Sequence, residues 1–352
     1  MRRRDVLTGV AASVPLSLAL PAIARGNRRL TMVTDWPEGP GMLASARRLA
    51  ATIASLSEGR LEIEVSGSGV VVRPFETFDA VRAGLADMFH THIGYYEKKS
   101  PAFHFYSGVP FGLTTGELFA WVHSGGGQAL YDELSAGFGI KPLLCCSPGA
   151  QMGGWFIRSV TKKEDFRGLR YRMAGLGAKI YRRLDATVVL LPAAEIVPSL
   201  RSGAIDACKW VGPWLDMEIG LHEAASHYYH PGWHEPGAAL TLGIRSDVWE
   251  SLSPADRGLF ETACAAEFAL SLAEFSRNNA IALERMRGEG VVTITRFSDE
   301  LLEAFAGIAS EVVAEIGSLD DLSKRIFDSH EGFQQVAREW TRISDGARPC
   351  AP

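Results

Sequence analysis

Apolar and polar residues alternate along Leu30-Thr31-Met32-Val33-Thr34 and along Leu61-Glu62-Ile63-Glu64-Val65. That period of two predicts a pair of half-buried strands. Between them, Ala44 to Leu56 has the wider spacing of an amphipathic helix. A second helix is expected from Phe75 to Gly84, and a third strand over Ala86-Asp87-Met88-Phe89-His90-Thr91. The result is a β-α-β-α-β unit.

A second unit of the same kind follows. Gly168-Leu169-Arg170-Tyr171-Arg172-Met173 reads as a turn feeding a short strand, with Gly175 and Gly177 as strand-to-helix punctuation. Ile180 and Leu184 share one face of a helix from Lys179 to Leu184. The apolar run Val188-Val189-Leu190-Leu191 has the form of a buried parallel strand. Pro192, two alanines and Glu195 open a helix through Leu200, which Gly203 closes before a strand at Ala204–Ala207. A helical span then ends in the segment His227 to Gly237.

Two such units, meeting near residue 150, predict an α/β protein. It has two lobes with a cleft between them, of the periplasmic binding protein type, where ligands lie at the carboxyl ends of strands and hinge closure is the usual motion. Residues 25–150 are assigned to lobe I, with a return segment at about 238–285. Residues 151–237 are assigned to lobe II, with part of about 286–318. Helical spacing recurs over Asp256 to Met286, and Val291–Thr295 reads as a strand. Ser298-Asp299-Glu300 caps a helix from Leu301, and a long amphipathic helix closes the fold from about Leu319 to Ile343. That last helix, with 319–346 as its bounds, is a candidate dimer contact.

Composition narrows the picture. The chain has 352 residues and is 47% apolar, enough for a large core. A formal charge of −5 and a pI near 6.0 leave no basic footprint for nucleic acid. Arg2-Arg3-Arg4-Asp5-Val6-Leu7, an uncharged run from Thr8 to Ile23, and Ala22-Ile23-Ala24 form the three regions of a secretory signal. The arginines suggest the twin-arginine route, so residues 1–24 read as an export signal and the destination as the periplasm. The alternative is an uncleaved anchor. Five cysteines (Cys145, Cys146, Cys208, Cys264 and Cys350) do not space as a zinc site. Neither do His222, His227, His230 and His234. His123 to Gly127 is too little for a hydrolase, because no G-x-S-x-G elbow accompanies it.

The segment from Gly168 to Trp214 resembles the signature region of the extracytoplasmic solute receptors of tripartite ATP-independent periplasmic (TRAP) transporters. It is most similar to the branch that binds 2-oxo acids and lactate. The family's pattern is a GLK-x-R strand, a Gly-rich turn, LP-x-x-E, G-x-IDA and EWVGP. Here it reads Gly168-Leu169-Arg170-Tyr171-Arg172, Leu191-Pro192-Ala193-Ala194-Glu195, Gly203-Ala204-Ile205-Asp206-Ala207 and Lys209-Trp210-Val211-Gly212-Pro213. The resemblance extends to Gln151–Phe156, Tyr228–Gly237, Thr31–Pro37 and Pro101–Leu113.

The resemblance implies a receptor that captures a small organic acid and delivers it to a membrane permease. Arg172 stands at the family's binding-arginine position, and a guanidinium fork suits a carboxylate. On the residues alone it could instead be a surface Arg neutralising Glu164 or Asp165. In the similar receptors a cation sits beside the ligand. Its matching ligands here are Gln151, the Trp210 backbone carbonyl and Glu235, oxygen donors of the kind sodium or calcium takes. Their alternatives are a strand-pairing Gln, a core Trp and a surface ion pair. The departure is Lys209, where the family carries Glu. Pointing inward, its ammonium would repel a metal, join the substrate-binding set and shift ligand choice toward a larger or more acidic molecule; pointing outward, it would be solvated and the metal would survive. Trp36, Tyr95, Tyr96, Trp155 and Trp214 are candidates to line the cleft or, equally, to pack the core. The resemblance also implies a homodimer that exchanges its C-terminal helix. The rival readings are a periplasmic enzyme using Arg172 and Glu235 on a carboxylic acid, and a ligand sensor docking on a signalling protein.

Overall fold

The computed structural model describes residues 27–290 and 292–344. The expected export signal, Val291 and the tail with Cys350 lie outside them. Eleven strands are described: β1 (Arg28–Thr34), β2 (Leu61–Ser66), β3 (Met88–Thr91), β4 (Ile140–Gly149), β5 (Gly154–Phe156), β6 (Arg170–Arg172), β7 (Thr187–Val189), β8 (Ala207–Cys208), β9 (His227–His230), β10 (Ala238–Arg245) and β11 (Thr293–Arg296). They form two sheets, one per lobe. The first has the order β2-β1-β3-β10-β4, the second β11-β9-β5-β8-β6-β7.

The alternation of β1 and β2 becomes a parallel pair, with Leu30 opposite Ile63 and Met32 opposite Val65. β1 also runs parallel to β3, while β10 returns antiparallel between β3 and β4. In the second sheet β6 is parallel to both β7 and β8, and the short β5 is antiparallel to β8 and β9. The chain therefore crosses between lobes at β4–β5, at β9–β10 and a third time between β10 and β11.

Three expectations need correction. The span before Gly237 ends in a strand, not a helix: His227–His230 pairs with β5 and β11. Tyr228 and Tyr229 are both buried, so the usual alternation is hidden. Val188 and Val189 do lie in a parallel strand, but β7 is the sheet's edge and is only partly covered. The two halves are also not copies of one parallel unit, since β5 and β10 insert antiparallel strands into them.

The helix Pro254–Glu289 ties the lobes together. Ser253 accepts a hydrogen bond from the Asp256 N–H, Pro254 sits in the first turn, and Gly290 ends the helix at φ 67°. It packs on β4, on the helix Met42–Leu56 and on the helix Pro213–Glu218. Apolar packing is likewise shared: Met32 and Leu49 of one lobe belong to the same buried cluster as Trp155 and Ile196 of the other. Among the described residues no helix is long and apolar enough to cross a membrane.

Candidate functional site

The carboxyl ends of strands from both sheets converge on one small cavity, as expected for open α/β layers. Trp36 follows β1, while His92 and Tyr95 follow β3. Arg172 ends β6, and Lys209 and Trp210 follow β8. The end of β4 adds Pro148, and the crossings after β4 and β9 add Gln151 and Glu235. The free volume among these side chains is about 20 Å³, so the lobes are shut over the site. Roomier hollows exist on the outer surface, such as one of about 550 Å³ beside His222 and Glu289. It is open and gathers no buried charge, so we place the site in the small, enclosed one.

Arg172 is 1% exposed. Its Nε and Nη2 both donate to the Leu191 carbonyl (3.0 and 2.8 Å), and Nη1 donates to the Lys209 carbonyl (2.6 Å). The guanidinium also lies over the Trp210 ring, 5.2 Å from its centroid. Each Nη carries a second proton that these carbonyls leave over. Among the described residues no carboxylate forms an ion pair with Arg172, and neither Glu164 nor Asp165 is near enough to neutralise it. A fully buried cation without a counter-ion is costly, and this one faces the cavity.

Lys209 points inward. Its Nζ donates to Glu235 Oε2 at 2.5 Å, with the two side chains 6% and 4% exposed. The other oxygen, Oε1, lies 3.3 Å from His92 Nε2. Burial by itself raises the Glu235 carboxyl, but the Lys209 charge and then His92 outweigh it and hold the group below the usual carboxylate range. Burial draws Lys209 below the ordinary lysine value, with Glu235 opposing. We take the pair as ammonium and carboxylate, because a neutral amine would leave the ionised Glu235 almost alone. Gly175, at φ 72°, makes room: a Cβ there would stand 3.2 Å from Glu235 Oε1. His234, also buried, has both ring nitrogens without a partner and is drawn down to about 3, first by burial and then by Lys209.

The fit of this donor set to a cation is poor. Gln151 Oε1 is buried with no partner and, taken alone, is a reasonable ligand. Glu235 is not, since its Oε2 already holds an ammonium at a distance where calcium would sit, about 2.3–2.6 Å from oxygen. A unit charge about 4 Å from that ammonium is repelled by about 4 kcal/mol at an effective dielectric of about 20, and a divalent ion by twice as much. Among the described residues no group of three or more His, Cys, Asp or Glu is placed to hold a metal.

The aromatic candidates divide. Trp36 lines the cavity, fixed by its Nε1–H to His90 Nδ1 (2.7 Å). Tyr95 lines it too, against Arg172, and burial pushes its phenol up to about 12. Tyr96 turns away. Its hydroxyl joins Thr77 and Thr91 on the buried Asp35, whose carboxyl burial raises. Trp155 is core: it stacks on Tyr228 at 3.9 Å and donates to Asp216 (2.8 Å). Trp214 packs edge-on against Phe275, and its backbone N–H donates to Asn279 Oδ1. In a strand or a helix start, neighbouring residues face different ways, so an aromatic next to a cleft residue often faces the core. Sequence reasoning missed His92. Its signal was position: it directly follows β3, at a strand's carboxyl end.

The four described cysteines, Cys145, Cys146, Cys208 and Cys264, are all buried and unpaired. Burial raises each thiol, which leaves them inert.

Comparison with known proteins identifies the family and the fold. The model of the bacterial extracellular solute-binding proteins, family 7, matches residues 32–319. A monocarboxylate 2-oxoacid-binding periplasmic protein of Nostoc sp. is 34% identical over 98% of this chain and 97% of its own. A TRAP transporter solute-binding protein from Bordetella bronchiseptica superposes with a TM-score of 0.89 at 30% identity, over 92% of this chain and 96% of that one. It was solved as a mixed-occupancy dimer with co-purified calcium and picolinate. A TRAP periplasmic solute-binding protein from Pseudoalteromonas atlantica, solved with sodium and pyruvate, gives 0.88 at 29% identity, over 91% and 98% of the two chains. This chain belongs to the bacterial extracellular solute-binding proteins of family 7, as a periplasmic solute-binding protein of a TRAP transporter.

Proposed function

We propose that the protein captures a small monocarboxylate of the 2-oxo acid class in the closed cleft and hands it to its TRAP permease. The observation that carries the reading is Arg172: a buried guanidinium with no carboxylate partner among the described residues and protons left over toward the cavity. In this reading the ligand carboxylate is the missing counter-ion. Lys209 and Gln151 supply further polar contacts, Trp210 backs the guanidinium, and Trp36 and Tyr95 exclude water. The names of the Nostoc relative and of the pyruvate- and picolinate-bound neighbours support the ligand class. The family and fold are those of receptors, and in this reading the ligand leaves unchanged.

The test starts from protein unfolded and refolded to strip bound molecules. It is titrated with pyruvate, lactate, picolinate and succinate while tryptophan fluorescence is followed. Pyruvate or picolinate is expected to bind in the micromolar range or tighter, and Arg172→Met to weaken binding about 100-fold or more, the cost of stranding a buried charge. Equal binding by the variant overturns the assignment.

A homodimer is the second part of the reading. The last helix, Asp321–Ile343, leaves Val336, Trp340 and Ile343 exposed at i, i+4 and i+7, and the Bordetella neighbour was solved as a dimer. Light scattering on the mature chain decides it: twice the monomer mass is expected, and Trp340→Ser should lower it.

A further inference from the structure

We infer that Lys209 is a built-in cation: its ammonium stands at Glu235 in place of a metal ion, so that this receptor loads a single carboxylate without sodium or calcium. The inference rests on the proposed carboxylate site and adds how its charge is supplied.

Position is the first argument. Lys209 immediately follows β8, whose Cys208 lies opposite Arg172 in register. Its N–H donates to the Arg172 carbonyl at 3.0 Å, and its own carbonyl accepts from Arg172 Nη1 at 2.6 Å. The backbone is thus strapped on both sides, and the side chain has one direction to go. It ends at 2.5 Å from Glu235 Oε2, within the range of a cation–oxygen bond. An ion and the ammonium cannot share that place.

Charge is the second argument. The ionised groups lining the cavity are Arg172, Lys209 and Glu235. They sum to one positive charge, which one carboxylate neutralises. Adding a divalent ion would leave three positive charges against that carboxylate. Removing the lysine charge would leave none to oppose it. With Lys209 charged, the arrangement is balanced for a monoanion only when the metal is absent. Gln151 does not argue otherwise, since a neutral carbonyl oxygen is satisfied by an N–H or O–H donor as readily as by a metal. A second carboxylate on the ligand would enter unpaired, so dicarboxylates are disfavoured by the same count.

The experiment has a metal arm that needs no organic ligand. Calcium chloride, then sodium chloride, is titrated calorimetrically into stripped wild-type protein in choline buffer. No binding is expected up to about 5 mM, above the weak end of extracellular calcium sites. Lys209→Glu, which removes the ammonium and adds a carboxylate, is expected to gain a one-to-one calcium site. In the second arm pyruvate is titrated into wild type with chelator and no sodium, and again with calcium. The affinities should agree within about twofold, a difference of only about 0.4 kcal/mol.

One tightly held calcium per wild-type chain overturns the inference, and so does a loss of more than about tenfold in pyruvate affinity on chelation. Both readings use wild type, so misfolding of the variant does not rescue the idea. If wild type binds neither calcium nor pyruvate while Lys209→Glu binds calcium, the built-in cation stands and the 2-oxo acid assignment falls.

Discussion

Replacing Lys209 by methionine keeps an unbranched apolar stem and removes the charge. In the native protein Nζ lies 2.5 Å from Glu235 Oε2, and both side chains are almost fully covered. At an effective dielectric of about 20, unit charges so placed attract by about 7 kcal/mol. Desolvation of both groups offsets most of this, so the pair as a whole is worth little against an apolar pair of the same shape. The single variant is another matter. It strands a buried carboxylate with only His92 nearby, at 3.3 Å, and loss of one partner from a buried pair costs about 3–5 kcal/mol. Lys209→Met should lower the free energy of urea unfolding by that amount, and Glu235→Leu by a similar one. The double variant should fall short of their sum by about 2 kcal/mol or more. Fluorescence and far-UV circular dichroism are followed together, since coincident transitions license the two-state treatment. A cost below about 1 kcal/mol for Lys209→Met, or additive single costs, refutes the buried pair.

Three further outcomes follow from other side chains. Arg172→Lys should lose roughly 100-fold in pyruvate affinity despite keeping its charge, because an ammonium cannot reach two carbonyls and a carboxylate in one plane; unchanged titration would remove the fork from the argument. Trp155→Phe should cost about 1–3 kcal/mol of unfolding free energy by removing one of three hydrogen bonds to the buried Asp216, which keeps those from Tyr228 and the Val211 N–H, and leave ligand affinity unchanged, whereas a large affinity loss would return Trp155 to the cleft. Glu97 joins the lobes through Lys179 at 3.5 Å and bonds His104 at 3.2 Å, and mainly the His104 bond takes its carboxyl from 4.5 to about 2. Because the folded value is the lower one, its contribution is complete above about 4.5 and fades as pH falls toward 2. The urea midpoints of wild type and Glu97→Gln should therefore converge over that window, and a gap that does not change with pH excludes the contribution.

The two α/β units, the order of most of their elements, the capped helix after Ser298 and the C-terminal helix were legible because each announces itself locally, by alternation, helical spacing or a cap. What was not legible depends on partners remote in sequence. His227–His230 hides as a strand because both of its faces are covered: Tyr229 packs on Phe297, and Tyr228 on Trp155. β10 is buried along all but its last residue, with Thr241 among the covered positions, and it pairs with β3 and β4, neither of which is near it in sequence. At the site, Arg172, Gln151, Trp210 and Glu235 were found as residue types in a familiar order. The direction of Lys209 was not, since it is set by two hydrogen bonds to Arg172 on the neighbouring strand. Trp155, Tyr96 and Trp214 could not be assigned to cleft or core from sequence for a related reason: an aromatic beside the cleft has a core on its other side.

The position of Glu235 explains why a single substitution at 209 matters beyond its charge. Glu235 lies in the crossing between β9 and β10. From lobe I, His92 approaches its Oε1, and a Cβ on Gly108 would stand 3.0 Å from its Cγ. From lobe II, Lys209 holds Oε2, and Gly175 leaves only the space Oε1 needs. One carboxylate is therefore gripped by both lobes at a joint where the chain crosses between them. A diffusible metal at such a joint couples closure to the ion's concentration, because the grip exists only when the ion is bound. An ammonium carried on β8's own extension is present at unit occupancy. It shares a strap with Arg172, so both positive charges move as one rigid piece of lobe II. With Lys209 in place, closure of the lobes responds to the organic acid alone, and the ion content of the periplasm enters only through screening, which is weak for charges this deeply buried.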